Sequence, residues 1–184
     1  MNINAHDHRR SIRLKGYDYA LPGYYFVTIC TQDRKNIFGE ITNNEIELNK
    51  FGKIVDEKIN ELKKYKNVDI DIYCVMPNHI HFIIRIVGAG SSRPINGSEN
   101  PTPTVGQIVA YFKYQSTKQI NDVINRAHCG RENPAPTGEY TIKKIFQRNY
   151  YEHIIRNEKS LNKIRGYITL NPTMWDRDRN NIKN

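Results

Sequence analysis

Cysteine is scarce in this chain: Cys30, Cys74 and Cys129 are the three among 184 residues, an odd and scattered set. That excludes a disulfide framework and a cysteine-rich zinc pattern. Long apolar runs are missing as well, and no stretch reaches the roughly 18 residues that cross a bilayer. The opening Met1-Asn2-Ile3-Asn4-Ala5-His6-Asp7-His8 is polar and has no signal-peptide apolar region, so the expected location is the cytoplasm, away from membranes. Compositional bias is also lacking. At 38% hydrophobic and 26% charged residues the chain is close to ordinary globular usage, which excludes global disorder. Its length fits one domain spanning 1–184, at about 100–200 residues per domain. Acid is in short supply: 19 Asp+Glu face 28 Lys+Arg, a net charge of +9. A polyanionic partner follows, although charge alone does not separate DNA, RNA and membrane surface.

The hydrophobic pattern is that of a mixed fold. After a basic opening (Arg9, Arg10, Arg13, Lys15), Tyr24 to Cys30 is β-branched and aromatic and reads as a strand. Residues 37–48 read as a hairpin around Asn43-Asn44. Phe51, Ile54, Val55, Ile59 and Leu62 recur at helical spacing. Residues 68–75 alternate as a strand with Val68, Ile70, Ile72 and Cys74 on one side. A second alternating strand follows Pro77-Asn78, with Ile80, Phe82, Ile84 and Ile86 on one face and His79, His81, Ile83 and Arg85 on the other. Gly, Ser, Pro and Asn mark flexible loops at about 87–104 and 127–139. Between them lies a helix with Thr104 as its N-cap. Phe146 to Ile155 reads as a final strand. Asn157 caps a last helix with Leu161, Ile164 and Ile168 as its apolar stripe, and Pro172 stops it near Asn171. This order predicts an α+β fold: a ferredoxin-like or RRM-like antiparallel sheet with packed helices.

Two imidazoles at i and i+2 of a strand point the same way, about 7 Å apart at Cα, and can hold one ion. His79/His81 meets that condition. His6/His8 has no apolar framing and does not. On the last helix Tyr167 and Asn171 are four apart and share a face. Two imidazoles and one amide, with open positions, suit Mg²⁺ or Mn²⁺ holding a phosphate oxygen. A tyrosine one turn away can then attack the phosphorus. By residue type alone the plainer readings also stand: His79/His81 as satisfied structural residues, and Tyr167 as part of the core beside Ile164 and Ile168.

Val75-Met76-Pro77-Asn78-His79-Ile80-His81-Phe82-Ile83-Ile84 resembles the His-hydrophobic-His strand of the single-tyrosine HUH transposases, and most closely their REP-associated branch. Arg9 to Lys15 with Tyr25 to Thr31 resembles that branch's start. Phe146 to Arg156 and Tyr167-Ile168-Thr169-Leu170-Asn171-Pro172 resemble its end. The resemblance implies metal-dependent cleavage and strand transfer of single-stranded DNA, at hairpin-flanked sites, through a 5′-phosphotyrosine. It assigns His79 and His81 as metal ligands, Tyr167 as nucleophile and Asn171 as third ligand, where related insertion-sequence enzymes carry glutamine. Phe146 stands where the branch often has tryptophan, and an aromatic there preserves the packing. Implied with it are a bacterial-type, nucleoid-associated location and a homodimer as further partner. Arg9, Arg10, Arg13, Lys15, Lys113, Lys118, Arg148 and Arg156 are the candidates for phosphate contacts. The alternative is a non-catalytic module binding nucleic-acid hairpins on an RRM-like sheet.

Overall fold

The computed structural model describes residues 14, 16–88, 102–129 and 143–181. Arg9, Arg10, Arg13 and Lys15 lie outside them, as do most of the two expected loops. The described chain runs β1 (Gly23–Cys30), a 3-10 turn (Gln32–Arg34), β2 (Gly39–Thr42), β3 (Glu45–Leu48) and α1 (Lys50–Leu62). There follow β4 (Val68–Val75), β5 (His79–Ile86), α2 (Val105–Cys129), β6 (Tyr151–Ile155), α3 (Glu158–Leu170) and a 3-10 segment (Pro172–Arg177).

Local chemistry explains the punctuation. Asn43 and Asn44 turn β2 into β3 with φ of 52° and 65°, the left-handed pair that a two-residue hairpin demands. Asn49 caps α1, accepting from Phe51 N at 2.9 Å and Gly52 N at 3.1 Å. Thr104 and Gln107 form a reciprocal cap on α2: Gln107 Oε1 accepts from Thr104 N at 2.8 Å, and Thr104 Oγ1 from Gln107 N at 3.3 Å. Asn157 caps α3 through Ser160 N at 2.8 Å. Gly52 lets the first turn of α1 lie against the Phe38 carbonyl, where any Cβ would collide.

Four strands form one antiparallel sheet in the order β4-β5-β1-β6. Strand alternation splits it into two faces. Tyr25, Val27, Ile29, Ile80, Phe82 and Ile84 point to a core shared with α1 and α2. Phe26 and Ile83 point the other way, to a smaller core with Leu161 and Ile168 of α3. The molecule is thus layered, with α1 and α2 on one side of the sheet and α3 on the other. Phe146 packs against Phe38 and Phe112 in the larger core, so the aromatic substitution preserves packing as expected.

Two strand expectations are corrected. The partners of β4 step from Ile70↔Ile84 to Tyr73↔Phe82, three residues against two, which is a β-bulge. The extra residue reverses the alternation. Val68 and Ile70 therefore face the large core, while Ile72 and Cys74 face α3. The final strand is also shorter than 146–155. Phe146 makes an isolated bridge to Thr31, and the ladder resumes only at Tyr151. Between them the carbonyls of Gln147 and Arg148 accept from the Lys113 ammonium, the second at 3.0 Å, instead of pairing along the sheet.

Candidate active site

Strand β5 opens with His79 and His81 on the α3 face of the sheet, and both are buried. Their Nε2 atoms converge to 3.0 Å. Each ring is held from behind through Nδ1. Asn78 donates through Nδ2 to the carbonyls of Arg34 (3.0 Å) and Asn180 (2.8 Å), which leaves its Oδ1 toward His79 Nδ1 at 2.9 Å. A carbonyl oxygen only accepts, so Nδ1 of His79 carries the proton and Nε2 keeps the lone pair. His81 Nδ1 lies 2.8 Å from the Thr28 hydroxyl, its register partner on β1. Trp175 stacks on His79 with centroids 6.0 Å apart.

Tyr167 reaches this point from α3. Its oxygen is 3.2 Å from His81 Nε2, within the same chain, and its ring stands edge-on to Phe26 and His81. One turn later α3 ends at Asn171, buried, whose Nδ2 donates to Asp178 Oδ2 at 3.2 Å. Asn171 Oδ1 is buried with no hydrogen-bond partner among the described residues.

Asp178 is the residue that sequence reasoning missed. Its carboxylate is 3% exposed and lies 3.9 Å from His79 Nε2. Oδ1 accepts from Asn180 N at 2.6 Å. Ligand atoms of His79, His81 and Asp178 all lie within 4.8 Å of one another. The only sequence signal was the alternation Asp176-Arg177-Asp178-Arg179, which has the pattern of an ordinary solvated surface segment. Its burial comes from Pro172, which converts the end of α3 into a 3-10 segment that folds back under the histidines.

Electrostatics keep the ring nitrogens unprotonated. Burial lowers His79 to a pKa of about 4, with the Asp178 charge opposing and Arg34 and Arg179 assisting. Burial and the neighbouring ring hold His81 well below its ordinary 6.5. Both rings are therefore neutral at ordinary pH, with lone pairs available. Burial and the Asp178 charge raise Tyr167 above 10, against smaller lowering by Asn171 and Arg179. Two neutral imidazoles and a buried carboxylate form a nitrogen–oxygen donor set that fits a divalent ion with open positions, and the Asn171 amide bonded to that carboxylate keeps an unpartnered oxygen. Outer partners already fix both rings, as metal-binding histidines require.

The open side is a cleft of about 490 Å³ whose lining includes Phe26, His81, Tyr151, Tyr167, Arg177 and Arg179. Two of the expected phosphate contacts lie elsewhere. Lys113 and Lys118 are on α2, in the layer across the sheet, and Lys113 is bound to backbone carbonyls. Arg148 and Arg156 are exposed beside β6. Arg177 and Arg179, absent from the expected set, line the cleft itself. Tyr111 and Tyr114, which by residue type alone are alternatives to Tyr167, are exposed, also on α2. No helix among the described residues is long and apolar enough to cross a membrane.

The family described as IS200-like transposase matches residues 23–171, which spans β1 through Asn171. A Haemophilus influenzae protein of uncharacterized function is 36% identical over 178 residues, covering 96% of this chain and 94% of that one. A second Haemophilus influenzae protein, provisionally named a REP-associated tyrosine transposase, is 27% identical over 155 residues, 84% of this chain and 73% of its own length. Among solved structures, a REP-associated tyrosine transposase bound to a REP hairpin superposes with a TM-score of 0.52. It is 18% identical and covers 89% of this chain and 73% of that chain, which bears on the fold.

Proposed function

The chain belongs to the IS200-like transposase family and is a tyrosine-type DNA transposase, and from that premise we propose that it cleaves and rejoins single-stranded DNA beside hairpins through Tyr167. The observation that carries this reading is the approach of the Tyr167 oxygen to the paired histidines, 3.2 Å from His81 Nε2. The hairpin preference is supported by the neighbouring fold, whose structure holds a REP hairpin, and by the relative named as REP-associated.

Tyr167 is the nucleophile. Its oxygen bonds to the scissile phosphorus as the phosphorus–O3′ bond breaks. The phenolic proton passes to water in the open cleft, and water returns a proton to the departing 3′ oxygen. The products are a 5′-phosphotyrosine and a free 3′-OH. One phosphodiester replaces another, so the same step run backwards joins a new strand. His79, His81 and Asp178 would hold Mg²⁺ or Mn²⁺, with the Asn171 amide bonded to the Asp178 carboxylate beside them. When bound, such an ion supplies positive charge that draws electron density from the scissile phosphate and the phenol oxygen. Asn171 and Asp178 orient the nucleophile's surroundings, Thr28 and Asn78 keep the rings aimed, and Arg177 and Arg179 attract the DNA backbone. The proposed unit of function is one domain with its own complete site.

Incubation with Mn²⁺ and a labelled, hairpin-flanked single-stranded oligonucleotide is expected to give a covalent adduct on denaturing gels, mapping to Tyr167 by mass spectrometry. An adduct on another tyrosine would overturn the assignment. Hairpin binding with no adduct under any divalent ion would favour the non-catalytic module.

A further inference from the structure

A second, smaller pocket of about 260 Å³ lies beside the cleft and shares Tyr151 and Arg179 with it. The geometry points to this pocket as a base-reading site for a nucleotide adjacent to the scissile phosphate, selective for keto bases (guanine or thymine). The inference rests on the single-stranded DNA reading above.

Position comes first. Thr28 lines the pocket, and its hydroxyl is the atom bonded to His81 Nδ1 at 2.8 Å, so the pocket sits one side chain away from the histidine pair. Its outer wall comes from the irregular stretch between Phe146 and β6, which places Gln147 and Asn149 at the rim. The break in the strand that the Lys113 ammonium stabilises is thus also what opens the pocket.

Three of the side chains that line it, Asn180, Arg34 and Arg179, offer donors. Asn180 lines the pocket and is 3% exposed. Its Oδ1 accepts from the Cys30 thiol at 3.8 Å, and its Nδ2 is buried without a partner among the described residues. Buried amide donors are almost always paired, so this one marks a place where an acceptor arrives from outside. Arg34 and Arg179 add guanidinium donors and no acceptor; Arg34 is anchored by its own bond to the Arg179 carbonyl at 3.0 Å. If the base is read at purine C6 or pyrimidine C4, adenine and cytosine would bring an exocyclic amino group against these donors, whereas guanine and thymine bring a carbonyl oxygen. Tyr151 supplies the stacking platform: it is 41% exposed, and the Arg179 guanidinium lies 5.8 Å from its ring centroid.

The test separates this inference from the reading beneath it. In a Tyr167→Phe background, fluorescence anisotropy measures the affinity for hairpin oligonucleotides carrying each of the four bases at each position flanking the scissile phosphate. Guanine or thymine is expected to bind roughly tenfold tighter than adenine or cytosine at one of those positions. Asn180→Asp replaces the donor with an acceptor and is expected to abolish or invert that preference there and nowhere else. Tyr151→Leu, whose fold is checked by thermal unfolding, is expected to weaken binding of all four bases while keeping the keto preference. No base preference at any flanking position, or a preference unchanged in Asn180→Asp, overturns the inference. Wild-type protein that still forms the Tyr167 adduct in that case keeps the transposase reading intact. Failure of the adduct itself overturns both.

Discussion

The phenol oxygen of Tyr167 lies 3.2 Å from Nε2 of His81, although 86 positions separate them in sequence. Only the return of α3 across the sheet face opposite α1 and α2 brings them together. Tyr167→Phe is therefore expected to lose the covalent DNA adduct entirely, while hairpin affinity and the unfolding midpoint stay close to wild type, because the ring packing against Phe26 remains. Tyr111→Phe and Tyr114→Phe, across the sheet, are expected to keep the adduct. Gel assays of the three variants decide the nucleophile.

The carboxylate of Asp178 and the amide of Asn171 would make different contributions to a bound ion. Asp178 brings charge to within 3.9 Å of His79 Nε2, and Asn171 fixes that charge through its 3.2 Å bond. Asp178→Asn keeps the shape and removes the charge, so Mn²⁺ affinity by isothermal titration calorimetry is expected to fall about a hundredfold. Asn171→Ala is expected to lose roughly tenfold or more, in the range of losses from removing a partner that orients a ligand. Asp178→Asn binding Mn²⁺ as tightly as wild type would falsify its place in the donor set.

Burial of the two rings sets a pH window for the metal-free protein. In the unfolded chain each ring takes up a proton near pH 6.5. In the fold His79 does so only near pH 4, and His81 is likewise held well below 6.5. Between these values the unfolded chain binds more protons, so stability is fully present above pH 6.5 and is lost as pH falls toward 4. With EDTA present, the unfolding midpoint at pH 4.5 is expected to sit roughly 5 °C or more below that at pH 7. In the His79→Gln/His81→Gln double variant that gap should narrow. A gap of unchanged size would assign the acid sensitivity to other groups.

Much of this arrangement is legible in the sequence because local signals and long-range packing agree. Alternation put His79 and His81 opposite Ile80 and Phe82, Asn157 and Pro172 bracketed α3, and spacing placed Tyr167 and Asn171 on one face. The parts that were not legible depend on contacts with no local trace. A bulge is a mismatch between two strands, so β4 alone gave no hint that Ile72 would turn toward α3. The break at Gln147 depends on a lysine 34 residues away, Lys113, which by charge alone reads as a phosphate contact. Asp178 was hidden for the same reason: its burial depends on the fold-back beneath His79, and alternating charge normally marks solvent.

One constraint on Tyr167, the proposed nucleophile, lies outside the cleft. Arg165, two residues before Tyr167, donates Nε to Asp71 Oδ2 at 2.8 Å and Nη2 to Asp71 Oδ1 at 2.7 Å. Asp71 falls within the β4 register shift between Ile70 and Tyr73, so the bulge and the rotation of α3 are joined by a two-pronged bond. Arg165→Lys keeps the charge but loses the fork. Cleavage is expected to fall by about tenfold or more, because small displacements of a reacting group are costly. The unfolding midpoint should move little, since the two side chains are 35% and 17% exposed and solvent screens their attraction. Asp71→Asn is expected to behave alike, and the double variant to be no worse than either single one. Losses that multiply in the double variant would mean that the two residues act separately and that the pairing does not hold Tyr167 in place.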